Sequence, residues 1–214
     1  MGTAKHLLTS VAAMAAAMGI ASAETKNFDL DGFTKVRGTS AVDVIVEVGP
    51  DFSVQAESDD AIDEARAVVD GDVLVLSREG KKGFSMRVGR SGNITYRISM
   101  PSLDGAESSA GSEVRVSGID AADLELSASS GSDLHAEGRC DTLEVSVSSG
   151  ADVNAYDLSC DDVTARASSG GDIEITAREA VDARASSGGG IDVRGNPDRQ
   201  RTKESSGGNV SIRS

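Results

Sequence analysis

From residue 105 onward apolar and polar side chains alternate in short runs, and the runs return at a nearly fixed interval. A small-residue signal marks each return. It reads Ser109-Ala110-Gly111, Ser129-Ser130-Gly131, Ser148-Ser149-Gly150, Ser168-Ser169-Gly170, Ser186-Ser187-Gly188 and Ser205-Ser206-Gly207. The glycines are spaced by 20, 19, 20, 18 and 19 residues. Three residues after each glycine comes an apolar side chain: Val114, Leu134, Val153, Ile173, Ile191 and Val210. Two positions further on comes another: Val116, Ala136, Ala155, Ile175, Val193 and Ile212. The residue between is polar every time: Arg115, His135, Asn154, Glu174, Asp192 and Ser211. Alternation with period two predicts a strand with one buried face; a helix would bring apolar residues back every third or fourth position.

A second alternating run precedes each turn signal. It reads Leu124, Leu126, Ala128; then Leu143, Val145, Val147; then Val163, Ala165, Ala167; then Val181, Ala183, Ala185. One repeat therefore holds two short strands, a glycine turn and a connection that absorbs the variation in length. Neither strand can bury its apolar face alone, and stacking successive repeats solves this with one continuous core. The chain is expected to be all-β, a β-solenoid with coils of about 19 residues. The shrinking of the second run to alanine predicts a thin core in the later coils. The stretches 42–48, 73–75 and 94–98 alternate too, so the amino-terminal half is expected to continue the stack. Asp70-Gly71-Asp72 reads as a turn, and residues 59–69 have a spacing that fits a short helix or an excursion.

The two cysteines occupy equivalent positions. Cys140 precedes Leu143 by three residues and Cys160 precedes Val163 by three. Adjacent coils place such residues about 4.8 Å apart, within the range a disulfide allows, so a Cys140–Cys160 bridge is expected.

The start of the chain has the three parts of a secretory signal. Lys5 and His6 precede an apolar run over residues 7–20, and Ala21-Ser22-Ala23 offers small residues for cleavage. The run is shorter than the roughly 20 residues of a membrane-spanning helix. The reading is a signal peptide over 1–23, cleaved near Ala23, and an exported domain over 24–214 with its regular coils in 105–214. Export to the periplasm or cell surface would supply the oxidising surroundings that the disulfide needs. No transmembrane anchor is expected.

The net charge of −14 becomes about −15 without Lys5. Such a domain is repelled by nucleic acid, so no nucleic-acid partner is expected. Beyond the leader the chain has one histidine, His135, no tryptophan, and two tyrosines, Tyr96 and Tyr156. That inventory is hard to reconcile with a serine triad or a zinc site built on imidazoles. No catalytic residue and no cofactor site is assigned.

The chain resembles the auto-transporter adhesin, head GIN domain family of exported bacterial proteins. The resemblance rests on Phe33-Thr34-Lys35-Val36, on Val42-Asp43-Val44-Ile45-Val46 and on Asp70-Gly71-Asp72-Val73-Leu74-Val75-Leu76. It also rests on Ile94-Thr95-Tyr96-Arg97-Ile98-Ser99-Met100-Pro101, with the serine-glycine coils after it. It covers residues 28–214. It implies a right-handed, single-stranded parallel β-helix and an adhesin-like role. With the sequence still within a repeat at Ser214, no outer-membrane barrel is expected within it.

The candidate metal ligands are Glu113, Asp133, Asp152 and Asp172, each two residues after a turn glycine. Carboxylates one strand spacing apart repel, and a cation such as Ca2+ would relieve the repulsion. The column breaks at Gly190 and Asn209. His135 is expected to face water, and the turn serines are expected to pair their hydroxyls between neighbouring turns. Inward positions in the last coil would be Gln200, Thr202 and Glu204, polar where earlier coils are apolar, which discourages strand addition there. The functional expectation is a non-enzymatic surface or envelope module binding a protein or glycan. The alternatives are a periplasmic scaffold and a polysaccharide-active enzyme.

Overall fold

The computed structural model describes residues 23–79 and 92–213; all of the expected leader, residues 1–23, but its last residue lies outside that range. Fifteen strands are present among the described residues. The first eight are β1 (Glu24–Phe28), β2 (Lys35–Gly38), β3 (Asp43–Val48), β4 (Ser53–Ser58), β5 (Ala65–Asp70), β6 (Val73–Arg78), β7 (Thr95–Met100) and β8 (Gly105–Ser109). Four long strands follow: β9 (Glu113–Ser129), β10 (Asp133–Ser148), β11 (Asp152–Ala167) and β12 (Asp172–Ser186). The last three are β13 (Gly190–Arg194), β14 (Arg199–Ser205) and β15 (Asn209–Arg213).

Each long strand turns a corner and serves two walls. The front wall runs in the order β1-β4-β7-β3-β9-β10-β11-β12-β13-β15. The back wall joins β5, β6, β2, β8, the later halves of β9 to β12, and β14. From β8 onward every pairing is parallel and one coil apart. The chain is therefore the expected β-solenoid.

The alternating residues stack as anticipated. Leu134 lies in register with Val114 and Val153, and Val145 with Leu126 and Ala165. All six are buried. The corner residue also shrinks along the stack. The residue after the turn glycine is Ser112, Ser132, Ala151, Gly171, Gly189 and finally Gly208. A Cβ on Gly189 would meet the Ala167 carbonyl carbon at 2.8 Å, so only glycine fits the later corners.

The turns close by backbone bonds. In each, the residue before glycine and the glycine itself have positive φ, from Ala110 (52°) and Gly111 (71°) to Ser206 (49°) and Gly207 (79°). Two consecutive left-handed residues define a primed type I turn, which glycine enters at little cost. Bonds between turns run from the Gly131, Gly150 and Gly170 amides to the carbonyls of Ser149, Ser169 and Ser187, each at 3.2 Å. The expected hydroxyl pairing is thus replaced by a main-chain ladder. Ser132 differs because its hydroxyl is buried, bonding the Ser108 carbonyl at 2.8 Å and the Ser129 carbonyl at 2.9 Å. On the short third side, Cys140 and Cys160 form the predicted disulfide with Cα atoms 4.6 Å apart.

The amino-terminal half departs from simple continuation. β2 and β3 form a coil lying directly under β8 and β9, while β6 and β7 stack on its other side. Sequence order and spatial order therefore differ. Antiparallel strands then close that end: β4 pairs β7, β1 pairs β4 and β5 pairs β6. Residues 59–69 form a single 3₁₀ turn, Ile62–Glu64, and then β5. No α-helix occurs among the described residues. The free edge of β6 offers β5 a full set of hydrogen bonds, and that pairing overrides the local helical spacing. Gly71 makes the expected turn between them with φ 66°. Tyr96, fully buried, reaches from the front wall to the back, where its hydroxyl accepts the Arg66 amide at 2.7 Å and lies 2.8 Å from the Ser77 carbonyl.

Candidate binding face

Outward positions of the front wall form two columns because successive strands pair without a shift over their first residues. The first column is acidic. Glu113 lies beside Asp133, Asp133 beside Asp152, and Asp152 beside Asp172, after which Gly190 and Asn209 end it. The structure extends the column by one acid, Asp43, which pairs in register with Glu113. Sequence reading anchored on glycine missed Asp43, since its turn, Thr39-Ser40-Ala41, contains none. The usable signal was the acid ahead of alternating valines: Asp43-Val44-Ile45-Val46 matches Glu113-Val114-Arg115-Val116.

Like charges at strand spacing repel, by about 1 kcal/mol at 4 Å in water. Partial burial raises the Asp152 carboxyl above its usual range, and Asp172 and Asp133 add to the rise. Asp43 is raised in the same way by burial and by Glu113, with Arg115 opposing. Glu113 itself is partnered by Arg115 and has the His135 Nε2 at 3.5 Å. The expected metal candidates are thus aligned in a row. Among the described residues no three His, Cys, Asp or Glu groups converge as a metal site requires.

The second column runs Ile45, Arg115, His135, Asn154, Glu174 and Asp192. His135 is exposed, as expected, and the Asn154 Nδ2 donates to Glu174 at 2.8 Å. Two shallow depressions of about 350 and 370 Å³ flank this column, and both are lined by His135 and Asn154. Beside these columns the Arg194 guanidinium covers the Tyr156 ring at 3.5 Å, so that face of the ring is already occupied. Cation–ring contact of this kind is worth about 0.5–1 kcal/mol at exposed sites. The wall can hold a ligand by charge and hydrogen bonding across a broad surface.

Parallel coils, an amino-terminal antiparallel closure and a charged lateral wall define the molecule as a β-solenoid. More narrowly, the chain belongs to the family described as putative auto-transporter adhesin, head GIN domain, whose model matches residues 32–197. A putative adhesin from Bacteroides fragilis has a similar crystal structure, with a TM-score of 0.70 at 17% identity, covering 89% of this chain and 97% of that one. A putative lipid binding protein from Parabacteroides distasonis is similar with a TM-score of 0.53 at 14% identity, covering 90% and 97%. A putative adhesin from Parabacteroides merdae gives a TM-score of 0.53 at 12% identity, covering 92% and 98%. At these identities the likeness establishes the fold. No curated protein matches the chain.

Proposed function

We propose that this chain is an exported, non-enzymatic β-solenoid that acts as an adhesin-like binding module at the cell surface or in the envelope. The observation that carries the reading is the front wall, where an acidic column and the His135–Asn154 column run side by side across consecutive coils. A ligand spread over several coils, a protein or a glycan, fits that surface better than a small substrate does. Catalysis needs groups converging within hydrogen-bond reach of one reacting atom, whereas the front-wall columns spread their groups along the axis. Membership of an adhesin-described family and the Cys140–Cys160 disulfide support the compartment and the role.

The acids favour a basic or hydroxyl-bearing partner, and salt should weaken the complex. The test is capture from envelope extract by the purified protein, comparing wild type with D133N/D152N/D172N. Retained partners that the triple variant loses, and that salt elutes, are expected. Equal capture by both proteins would remove the front wall from the proposal. Depolymerisation of a polysaccharide by the pure protein, or residence in the cytosol with the leader uncut, would defeat the proposal altogether.

A further inference from the structure

The last coil described has a detail with no counterpart lower in the stack. It consists of β14 in the back wall and β15 in the front wall, each paired on one edge only, to β12 and β13 respectively. In β12 the inward residues Val181, Ala183 and Ala185 are buried; the residues in register with them are Gln200, Thr202 and Glu204. All seven residues of β14 are exposed. Its outer positions carry Arg199, Arg201 and Lys203.

On β15, the Asn209 amide donates to the Gly189 carbonyl at 3.0 Å, toward the rest of the stack. Successive amides along a strand point to opposite edges, so the Val210 amide points to the free edge. There it donates to Glu204 Oε1 at 2.6 Å. One coil earlier, the equivalent residue is Ile191, whose amide faces β15. The Glu204 carboxylate therefore stands where the carbonyl of a further coil would be.

We propose that Glu204 is an axial stop: it satisfies the edge amide of Val210 and, with Arg199, Arg201 and Lys203, prevents a second copy of this chain from adding as another coil. An incoming coil would have to displace the carboxylate from its amide and bury it, together with Gln200 and Thr202, against apolar residues. Inward charges and basic residues on an edge strand are established ways of blocking strand addition. This inference stands independently of which ligand the front wall takes.

The experiment uses the full chain. Amide exchange at Val210 is compared in wild type, E204Q and E204V, since glutamine keeps an acceptor and valine does not. Exchange about tenfold faster or more in E204V, with E204Q close to wild type, is expected for loss of a bond to a charged group. Sedimentation over a concentration series should show wild type as a species of fixed size. The variant Q200V/T202V/E204V, which restores the apolar pattern, should associate into dimers or larger species as concentration rises. Equal exchange in wild type and E204V, concentration-dependent growth of the wild type, or a folded triple variant that stays monomeric would each overturn the proposal. Should the triple variant not fold, the single E204V exchange decides alone.

Discussion

Six coils place glycine second in the tight turn, but in the coil formed by β2 and β3 that position is Ala41, held at φ 57°. Its amide bonds the Ala110 carbonyl at 3.0 Å, as Gly131 bonds Ser149. A left-handed residue with a Cβ costs about 1–2 kcal/mol, and the added freedom of glycine in the unfolded chain returns about 0.4–1 kcal/mol of that. Ala41→Gly should therefore stabilise the fold by about 0.5–1 kcal/mol, seen as a higher midpoint in thermal unfolding. Tyr96 offers the opposite case. Replacing it with Phe strips a half-buried amide and carbonyl of their partner, which should cost about 1 kcal/mol or more in chemical denaturation. Burial pushes its phenol up to about 12 from an ordinary 10. Stability linked to the neutral ring is then complete below pH 10 and is lost as the pH climbs toward 12, and Tyr96→Phe should flatten that loss.

At the scale of elements, the disulfide tests the alignment of coils most directly. It closes a loop of 20 residues between β10 and β11, for which chain entropy gives about 3 kcal/mol. Cys140→Ala with Cys160→Ala should lower stability by about that much, and denaturation curves with reductant should match the double variant. This pairing was legible in the sequence because β9 to β12 repeat at a nearly constant length, so equivalent positions could be read off the glycines. The amino-terminal closure was not legible. Antiparallel β4 and β5 alternate just as parallel strands do, and nothing local to residues 35–48 says that their coil will lie between residues 73–100 on one side and 105–117 on the other. The acids of the candidate face were found wherever a turn glycine announced them, and Asp43 was missed where alanine replaced it. The Glu204–Val210 bond lay beyond sequence reading for another reason. The pattern exposed a polar end, but a side chain standing in for a backbone carbonyl depends on its conformation alone.

Over the whole molecule, acids aligned on the front wall make stability depend on pH in a definite direction. Asp43 and Asp152 hold their protons more tightly in the folded protein than the ordinary carboxyl value of 3.8 implies. The stability tied to that binding is complete below pH 3.8 and is lost as the pH rises through their raised values. Neutral pH is thus the less favourable side for this column, although ion pairs elsewhere change in the other sense. Asp152→Asn should raise the unfolding midpoint at pH 7 and make little difference near pH 4, as calorimetry at the two values would show. The out-of-order coil has its own outcome at this scale. Val42 meets Ser112 across a sequence separation of 70 residues, with the strands of the neighbouring coil made in between. The domain cannot be wound like thread on a spool, first residue first. A ribosome must release everything up to β9 before the second winding gains its upper neighbour, and until then that winding's exposed rim is what a chaperone or a stray strand would find.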